Sequence, residues 1–163
     1  MPIKDALLAE YDHEMATTRK LLERIPDGNL AWKPHEKSRS LGDLATHLAS
    51  LLLWTPLILN EFSFDLVNSP PNGAGAAARA DVLSAFDRST SRARLCLDKT
   101  DAELMAPWTL QRDGQQMFTL PRAAAFRTFV LSHVVHHRGQ LSVYLRLSGV
   151  PVPAIYGPSA DEG

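Results

Sequence analysis

Apolar residues recur every three or four positions along most of the chain, which is the period of an amphipathic α-helix. The first such stretch covers residues 3–25 and ends at Pro26, Asp27 and Gly28, a sequence typical of a turn. Three further stretches follow, at residues 40–53, 80–97 and 121–147. The pattern therefore predicts four long helices.

Residues that favour helix ends flank these stretches. Ser40, with Asp43 three positions later, resembles a capping box and marks the start of the second helix. Pro56 is expected to kink or stop that helix, because a proline ring clashes with the preceding turn. Pro121 suits the first position of the fourth helix, and Gly149 suits its end. The helix boundaries are thus expected at capping residues and prolines.

The connections differ in character. Residues 29–39 and 68–75 are rich in turn formers and are predicted to be loops, the second of them mobile. Residues 108–120 contain an Asp-Gly pair between short apolar runs, which indicates either a small hairpin or an extended loop. The order of elements predicts an all-α fold, a single four-helix-bundle domain over residues 1–163 with a crossover-type middle connection and an irregular C-terminal tail.

Composition narrows the class of protein. Of the 163 residues, 45% are hydrophobic and 21% charged, which is enough for one domain with its own core. The formal net charge is −1, so no strongly basic face is available to neutralise phosphates, and we expect no nucleic-acid partner. Cys96 is the single cysteine, which excludes an internal disulfide and a cysteine-based zinc site.

The sequence shows no sign of export or of a membrane segment. Charges interrupt every apolar run near the N-terminus, unlike a signal peptide. The longest apolar stretch, residues 48–59, is broken by Ser50, Thr55 and Pro56 and is shorter than the ~20 residues that cross a bilayer. We therefore expect a cytoplasmic protein with no membrane partner.

The spacing of the histidines is the feature of this sequence that indicates a chemical function. His133 and His137 are four positions apart, so on a helix both imidazoles point to the same side, which the apolar pattern makes the inward face. Two neutral imidazoles at this spacing can chelate one metal ion, although many such pairs hold none.

A third histidine makes the prediction of a metal site more specific than the pair alone does. His47 flanks the apolar stripe that Leu44, Leu48 and Leu51 form on the second predicted helix. A lone histidine at such a position is commonly a hydrogen-bonded core residue. Three inward histidines on two helices, however, are costly to bury without partners, and metal ligation removes that cost. A three-histidine metal site is therefore the leading hypothesis.

Three segments of the chain resemble a known family. They are Gly-Asp-Leu-Ala-Thr-His-Leu at residues 42–48, His-Val-Val-His-His-Arg-Gly-Gln-Leu at residues 133–141, and the C-terminal sequence from Leu-Arg-Leu-Ser-Gly-Val-Pro to Ala-Asp-Glu at residues 145–162. The second and third motifs together are quite specific. The sequence is similar to the DinB family over essentially its whole length.

The resemblance implies a bundle of the up-down-down-up type, commonly a homodimer, with three histidines that hold a divalent ion such as nickel or zinc. The family's ligands correspond to His47, His133 and His137. His136 lies three positions after His133 and can also chelate in principle. The Arg-Gly-Gln-Leu that follows His137 sets the alignment and leaves His136 at the edge of the inward face.

Several functions are compatible with such a site. Three protein ligands leave coordination positions open to water or substrate, as in catalytic rather than closed structural sites. The resemblance implies either a hydrolase-like activity or a thiol S-transferase-like activity on a small molecule, the second with a low-molecular-weight thiol. The alternatives are a non-catalytic stress-response protein with a structural metal and a dimeric interaction module without metal. No catalytic side chain and no organic cofactor is assigned.

The remaining candidates receive ordinary structural interpretations. His13 and His35 are expected to be solvated, and Cys96 to be a small filler on the third helix. Asp12 and Glu14 are expected to be surface charges, or to support the site if either turns inward. The first helix also has apolar residues beyond a single stripe, which is a modest indication of the homodimer. They are Leu8, Leu21 and Leu22.

Overall fold

The computed structural model describes residues 1–69 and 75–162 and is mostly helical with a small sheet. In chain order the helices and strands are α1 (Ile3–Leu22), α2 (Leu41–Leu51), α3 (Trp54–Leu59), β1 (Ser63–Asp65), α4 (Arg79–Cys96), α5 (Asp101–Met105), β2 (Pro107–Arg112), β3 (Gln115–Pro121), α6 (Arg122–Phe126) and α7 (Ser132–Leu147). A π-helical turn, Arg127–Leu131, joins α6 to α7. Short 3-10 turns lie at Asp27–Asn29 and Leu66–Asn68. Most of the loop predicted at residues 68–75 lies outside the described residues.

The four predicted long helices are present and pack around one core. Helix α1 contacts α4 and α7, and α2 contacts the same two helices. Helices α1 and α4 run antiparallel, since Arg19 pairs with Asp87 at 2.8 Å while Arg94 pairs with Asp12 at 2.8 Å. The apolar stripes predicted by the sequence therefore all face a common interior.

Helices α1 and α7 run in the same direction. Glu10 pairs with Arg127, just before α7, and Glu14 pairs with Arg138 further along both helices. The second of these pairs is buried, with the Arg138 side chain 1% exposed. The ion pairs thus show the direction of α1 relative to each of its two neighbours.

The second predicted helix is divided in two. The Ser40 hydroxyl accepts a hydrogen bond from the Asp43 backbone N–H at 3.0 Å, so the predicted cap is confirmed. Helix α2 ends at Leu51, and the chain resumes as α3 at Trp54. Pro56 falls in the first turn of α3, where a missing N–H is tolerated. The break expected near Pro56 is confirmed and lies one turn before the proline.

Residues 107–121 form a hairpin, the first of the two predicted alternatives. Strands β2 and β3 are antiparallel and joined by Asp113 and Gly114, both at positive φ (51° and 72°), as a two-residue turn requires. Strand β1 adds to β2 in parallel and completes a three-stranded sheet. The all-α prediction is therefore correct for the long helices and needs correction for this sheet.

The hairpin is bonded to α3 at one end and to β1 at its turn. Trp108 is fully buried, and its indole Nε1 donates to the Leu57 carbonyl at 3.0 Å. At the turn, the Asp65 carboxylate accepts from the backbone N–H groups of Asp113 (3.2 Å) and Gly114 (2.7 Å). These hydrogen bonds lower the pKa of Asp65. The sheet consequently packs against α3 and α6.

The predicted fourth helix is not a regular α-helix throughout. Pro121 caps α6 instead of occupying its first turn, and the π-helical turn inserts extra residues before α7. A π-turn changes which side chains share a face. Phe126 is fully buried beside Tyr11, with ring centroids 6.2 Å apart, whereas Phe129 is only partly buried. The single inward face predicted for residues 121–147 is therefore divided at this turn.

The C-terminal tail is irregular, as predicted, and is bound to the helices. Gly149 adopts positive φ (73°) after α7, which ends the helix as expected. Arg146 pairs with Asp161, and Arg24 pairs with Glu162 at 2.6 Å. The tail therefore packs back onto α1 and α7.

Two apolar segments of the sequence are buried within the fold. Leu21 and Leu22, which suggested a dimer interface, are fully buried in the core of the chain itself. One helical stretch, Leu41–Leu59, is long and apolar enough by composition to cross a membrane, and 56% of it is buried within the fold. Packing in the core accounts for the apolar character of both segments.

Candidate metal centre

Three histidines from two helices converge at one point. His47 lies on α2, and His133 and His137 lie on α7. One ring nitrogen from each lies within 4.8 Å of the others. The ring centroids are 4.6 Å apart for His47 and His137, 4.8 Å for His133 and His137, and 5.5 Å for His47 and His133. The structure brings together all three residues that the sequence singled out.

Local structure explains this convergence. On α2, Leu44 and Leu48 fill the core, so His47 is placed at the border of the buried stripe. On α7, the four-residue spacing stacks His133 above His137, while Val134 and Leu141 are buried on the core side. The histidines are half-buried and lie where the two helices face one another. Each helix thus anchors its histidines through neighbouring apolar residues.

A hydrogen bond defines the free nitrogen of one of the three rings. His137 Nδ1 lies 2.7 Å from Gln140 Oε1, and an amide oxygen accepts, so this nitrogen carries the proton and Nε2 is left as a lone-pair donor. At His133 burial lowers the pKa, and the Phe129 backbone opposes this effect without reversing it. Such partners orient metal-binding histidines and select their tautomer.

His47 has no such partner. Its Nδ1 is buried and makes no hydrogen bond to any described residue. A buried polar atom without a partner costs free energy, commonly about 1–3 kcal/mol. A metal ion bound among the three rings would accept one lone pair from each histidine, so that none of these lone pairs stays unpaired. The donor set therefore suits a divalent ion.

The spacing of the nitrogens also suits one ion. Zinc–imidazole distances are about 2.0–2.1 Å, so tetrahedral coordination places two donor nitrogens about 3.4 Å apart. Nitrogens within 4.8 Å of one another reach that spacing when side-chain rotations move them by about an ångström. No other group of three or more histidine, cysteine or acidic side chains meets this criterion in residues 1–69 and 75–162.

Burial keeps the three imidazoles neutral. It lowers the pKa of His47 to about 4, with Arg39 and the other two histidines acting in the same direction. Burial also lowers the pKa values of His133 and His137. A neutral imidazole is the form that binds metal. The site is therefore in its metal-binding protonation state at neutral pH.

Two cavities open at the histidines. The larger, about 350 Å³, is called here the apolar lobe. It is lined by His47, Leu51, Trp54, Leu66, Ser69, Leu110, Phe129 and His133. The smaller, about 190 Å³, is called the polar lobe. It is lined by Ser38, Arg39, Leu44, His137, Gln140 and Tyr144. Because different histidines border the two lobes, the metal position lies between them.

The other histidines take no part in the cluster. His136 is exposed and outside the cluster, and its ring meets the His137 ring edge-on with centroids 4.8 Å apart. His13 and His35 are also exposed, as expected for solvated residues. Cys96 is partly buried on α4, where its Sγ lies against the Arg92 carbonyl, as expected for a packing residue.

Two sequence interpretations need correction or addition. Glu14 was expected at the surface but is 7% exposed and pairs with Arg138 at 2.6 Å. Arg39, at the end of a predicted loop, was not recognised as part of the site, yet it lines the polar lobe next to His137. The sequence has no local pattern for Arg39, since its place depends on the packing of α2 against α7.

The comparison with family models agrees with this geometry. The model of the DinB family matches residues 1–163. The chain belongs to the DinB family. The match covers all three histidines of the cluster and the motifs that carried the resemblance.

Individual DinB relatives are similar at the level of fold. The chain is 28% identical over 162 residues to YrdA of Bacillus subtilis, an uncharacterized protein, covering 97% of this chain and 90% of YrdA. A DinB-like crystal structure from Bacillus cereus is 21% identical with a TM-score of 0.73, covering 93% of this chain and 97% of that one. YfiT from Bacillus subtilis, described as a probable metal-dependent hydrolase with an unusual four-helix bundle topology, is 18% identical with a TM-score of 0.64, covering 90% of this chain and 87% of YfiT.

The lowered pKa values predict how metal-free protein responds to pH. An unfolded histidine protonates near pH 6.5, whereas folded His47 does so only near pH 4. Between these values the unfolded state binds more protons, so stability is lost as the pH falls from about 6.5 toward 4. Thermal melts of chelator-treated protein between pH 7.5 and 4.5 should show this loss, and His47→Gln should show a shallower one.

His13→Gln is the matched control, because His13 is exposed on α1. It should follow the wild-type pH profile. A constant difference in melting temperature between wild type and His47→Gln across this pH range would contradict the expectation.

Proposed function

We propose that this protein is a metal-dependent hydrolase for a small-molecule substrate, with a divalent ion held by His47, His133 and His137. The observation that supports it most is the convergence of three neutral imidazoles beside two cavities, with His47 Nδ1 buried and unpaired among the described residues. The description of YfiT as a probable metal-dependent hydrolase agrees with this class of reaction.

The surrounding residues would support such a reaction in distinct ways. When bound, a divalent ion acts as a Lewis acid and lowers the pKa of coordinated water toward neutrality. Gln140 holds His137 in the tautomer that leaves Nε2 free. Arg39 places a fixed positive charge beside the site, which favours negative charge developing on a substrate. The apolar lobe limits access of water to the reacting group.

Further features of the proposal rest on the chain's membership of the family. We propose nickel or zinc as the ion, since imidazole ligands suit both. We also propose a cytoplasmic homodimer with helices in up-down-down-up order and without nucleic-acid or membrane partners. The antiparallel pairing of α1 with α4 and the parallel pairing of α1 with α7 support that helix order. Light scattering at micromolar concentration tests the dimer.

The open coordination position is the part of the proposal to test. Cobalt-substituted protein should change its absorption spectrum saturably with azide or imidazole, because three protein ligands leave room for a fourth. The zinc-loaded form should hydrolyse an activated ester such as 4-nitrophenyl acetate, and His47→Ala should lose this activity. His136→Ala should retain it.

Other outcomes would assign the site differently. A sulfur-to-metal charge-transfer band on addition of 2-mercaptoethanol, with no hydrolysis, would replace the hydrolase proposal with a thiol S-transferase. A cobalt spectrum that no added ligand changes would mean a closed structural metal and would overturn the catalytic proposal.

A further inference from the structure

We infer that the site accepts small molecules that carry an aromatic ring and an anionic group joined by a short linker. The ring occupies the apolar lobe and the anion pairs with Arg39 in the polar lobe. This inference rests on the proposed function in one respect, because it places the reacting bond between these two groups, next to the histidines.

Two aromatic side chains, Trp54 and Phe129, line the apolar lobe, and Phe64 and Phe118 pack against them outside its lining. Trp54 and Phe129 lie nearly parallel at an interplanar angle of 17° with centroids 6.0 Å apart, and Phe129 stacks on Phe118 at 5.7 Å and 1°. Phe64 meets Trp54 edge-on at 5.3 Å. Aromatic side chains arranged in this way favour a further aromatic group in stacked or edge-to-face contact.

The volume of the apolar lobe is sufficient for a ring. A cavity of about 150 Å³ lined by apolar side chains accommodates benzene. The apolar lobe, at about 350 Å³, therefore has room for one ring with a substituent. Leu51, Leu66 and Leu110 complete its wall, so the group it takes is apolar.

Arg39 provides the complementary charge in the polar lobe. It is exposed and forms no ion pair within residues 1–69 and 75–162. No carboxylate is among the described residues that line either lobe. A guanidinium without a protein counterion, beside half-buried neutral histidines, pairs well with a carboxylate through two parallel hydrogen bonds.

The position of Arg39 is maintained by its backbone. The Tyr144 hydroxyl donates to the Arg39 carbonyl at 3.3 Å, and the Tyr144 ring meets Trp32 edge-on at 5.6 Å. Helix α7, which carries His133 and His137, therefore also holds the segment before α2 that carries Arg39. The Arg39 backbone is therefore held near the histidines by the same helix.

The two lobes lie on opposite sides of the histidines. From the π-helical turn into α7 the order is Phe129 in the apolar lobe, then His133 and His137, then Gln140 in the polar lobe. Eleven residues at a rise of no more than about 1.5 Å each give at most about 16 Å between the far ends. A ring and a carboxylate separated by two or three atoms span the central part of this distance. A substrate bound across both lobes would therefore present its linker to the metal position.

Binding of three matched probes tests this inference. Zinc-loaded full-length protein is titrated calorimetrically with 3-phenylpropionate, propionate and 3-phenylpropan-1-ol. We expect 3-phenylpropionate to bind at least about tenfold more tightly than either of the others, since only it fills both lobes. Equal binding of all three probes would overturn the inference.

Variants assign the two halves of the probe. Arg39→Ala should abolish the preference for 3-phenylpropionate over the alcohol, and Arg39→Lys should keep part of it. Arg92→Ala, at an exposed arginine on α4, is the matched control and should bind like wild type. Unchanged preference in Arg39→Ala would contradict the assignment of the anion to Arg39.

The apolar lobe is tested in the same way. Phe129→Leu should weaken 3-phenylpropionate binding about tenfold and leave propionate binding unchanged. Because Phe129 also packs against several aromatic residues, Leu66→Trp provides a second variant that fills the lobe from its edge and should have the same effect. Wild-type affinity for 3-phenylpropionate in both variants would overturn the placement of the ring.

Elemental analysis separates failure of this inference from failure of the proposed function. Protein that holds stoichiometric zinc but does not distinguish the probes would overturn the substrate class and leave the metal site standing. Protein that takes up no zinc would overturn the proposed function. In that case Arg39-dependent binding of 3-phenylpropionate would still support the two-lobed site, and its absence would overturn it.

Discussion

Alanine at His47, His133 or His137 should reduce bound zinc or nickel from one equivalent per chain to background. The three donor nitrogens lie within 4.8 Å of one another, and removing one leaves a two-ligand site. Loss of residues that only support ligands costs about 10–100-fold in metal affinity, so loss of a ligand should cost at least about 100-fold. Elemental analysis of untagged protein after dialysis against dilute metal measures the effect.

His136→Ala is the matched control for these variants. His136 neighbours His137 in sequence but is exposed and outside the cluster, so its removal should leave one equivalent of metal bound. Full metal content in any of the three ligand variants would refute the site. Loss of metal only in His136→Ala would show that the neighbouring histidine is the ligand.

Replacing Arg138 with methionine should lower the free energy of unfolding by about 3–5 kcal/mol, the usual effect of leaving a buried charge without its partner. The Arg138 side chain is 1% exposed and its Nη2 lies 2.6 Å from Glu14 Oε2. It also donates to the Glu14 carbonyl at 3.1 Å and lies over the Tyr156 ring at 5.0 Å. Urea denaturation followed by circular dichroism measures the change.

The double variant Glu14→Gln with Arg138→Met should recover part of the loss, because no unpaired charge then stays buried. The Tyr156 hydroxyl, 2.9 Å from Glu14 Oε2, would still find a polar partner in the glutamine. Arg92→Ala, at an exposed site, should change stability by no more than about 0.5 kcal/mol. An Arg138→Met protein within 1 kcal/mol of wild type would mean that the buried pair contributes no net stability.

Most of the fold could be predicted from local sequence patterns. The three- and four-residue apolar period located the four long helices within a few residues, and Ser40 and Gly149 marked two of their ends. The Asp-Gly pair indicated the hairpin because residues at positive φ are needed there and few sequences supply them. Such features depend on residues close together in the chain.

The features that were missed depend on distant residues. Strand β1 has three residues, too few for a periodic pattern, and exists because β2 pairs with it in parallel. The π-helical turn Arg127–Leu131 has no distinctive sequence, and its Val130 and Leu131 are buried in the core. Glu14 is buried because Arg138, 124 residues away, reaches it.

The sequence by itself determined that His133 and His137 share one face of a helix, because a spacing of four residues fixes their relative direction. It also determined that His47 borders an apolar stripe. Only the tertiary structure decided that these two faces meet, that Arg39 lies beside them and that an aromatic cavity opens on the other side. The physical reason is that helix periodicity sets the direction of a side chain from local geometry, whereas its neighbours depend on how the whole core packs.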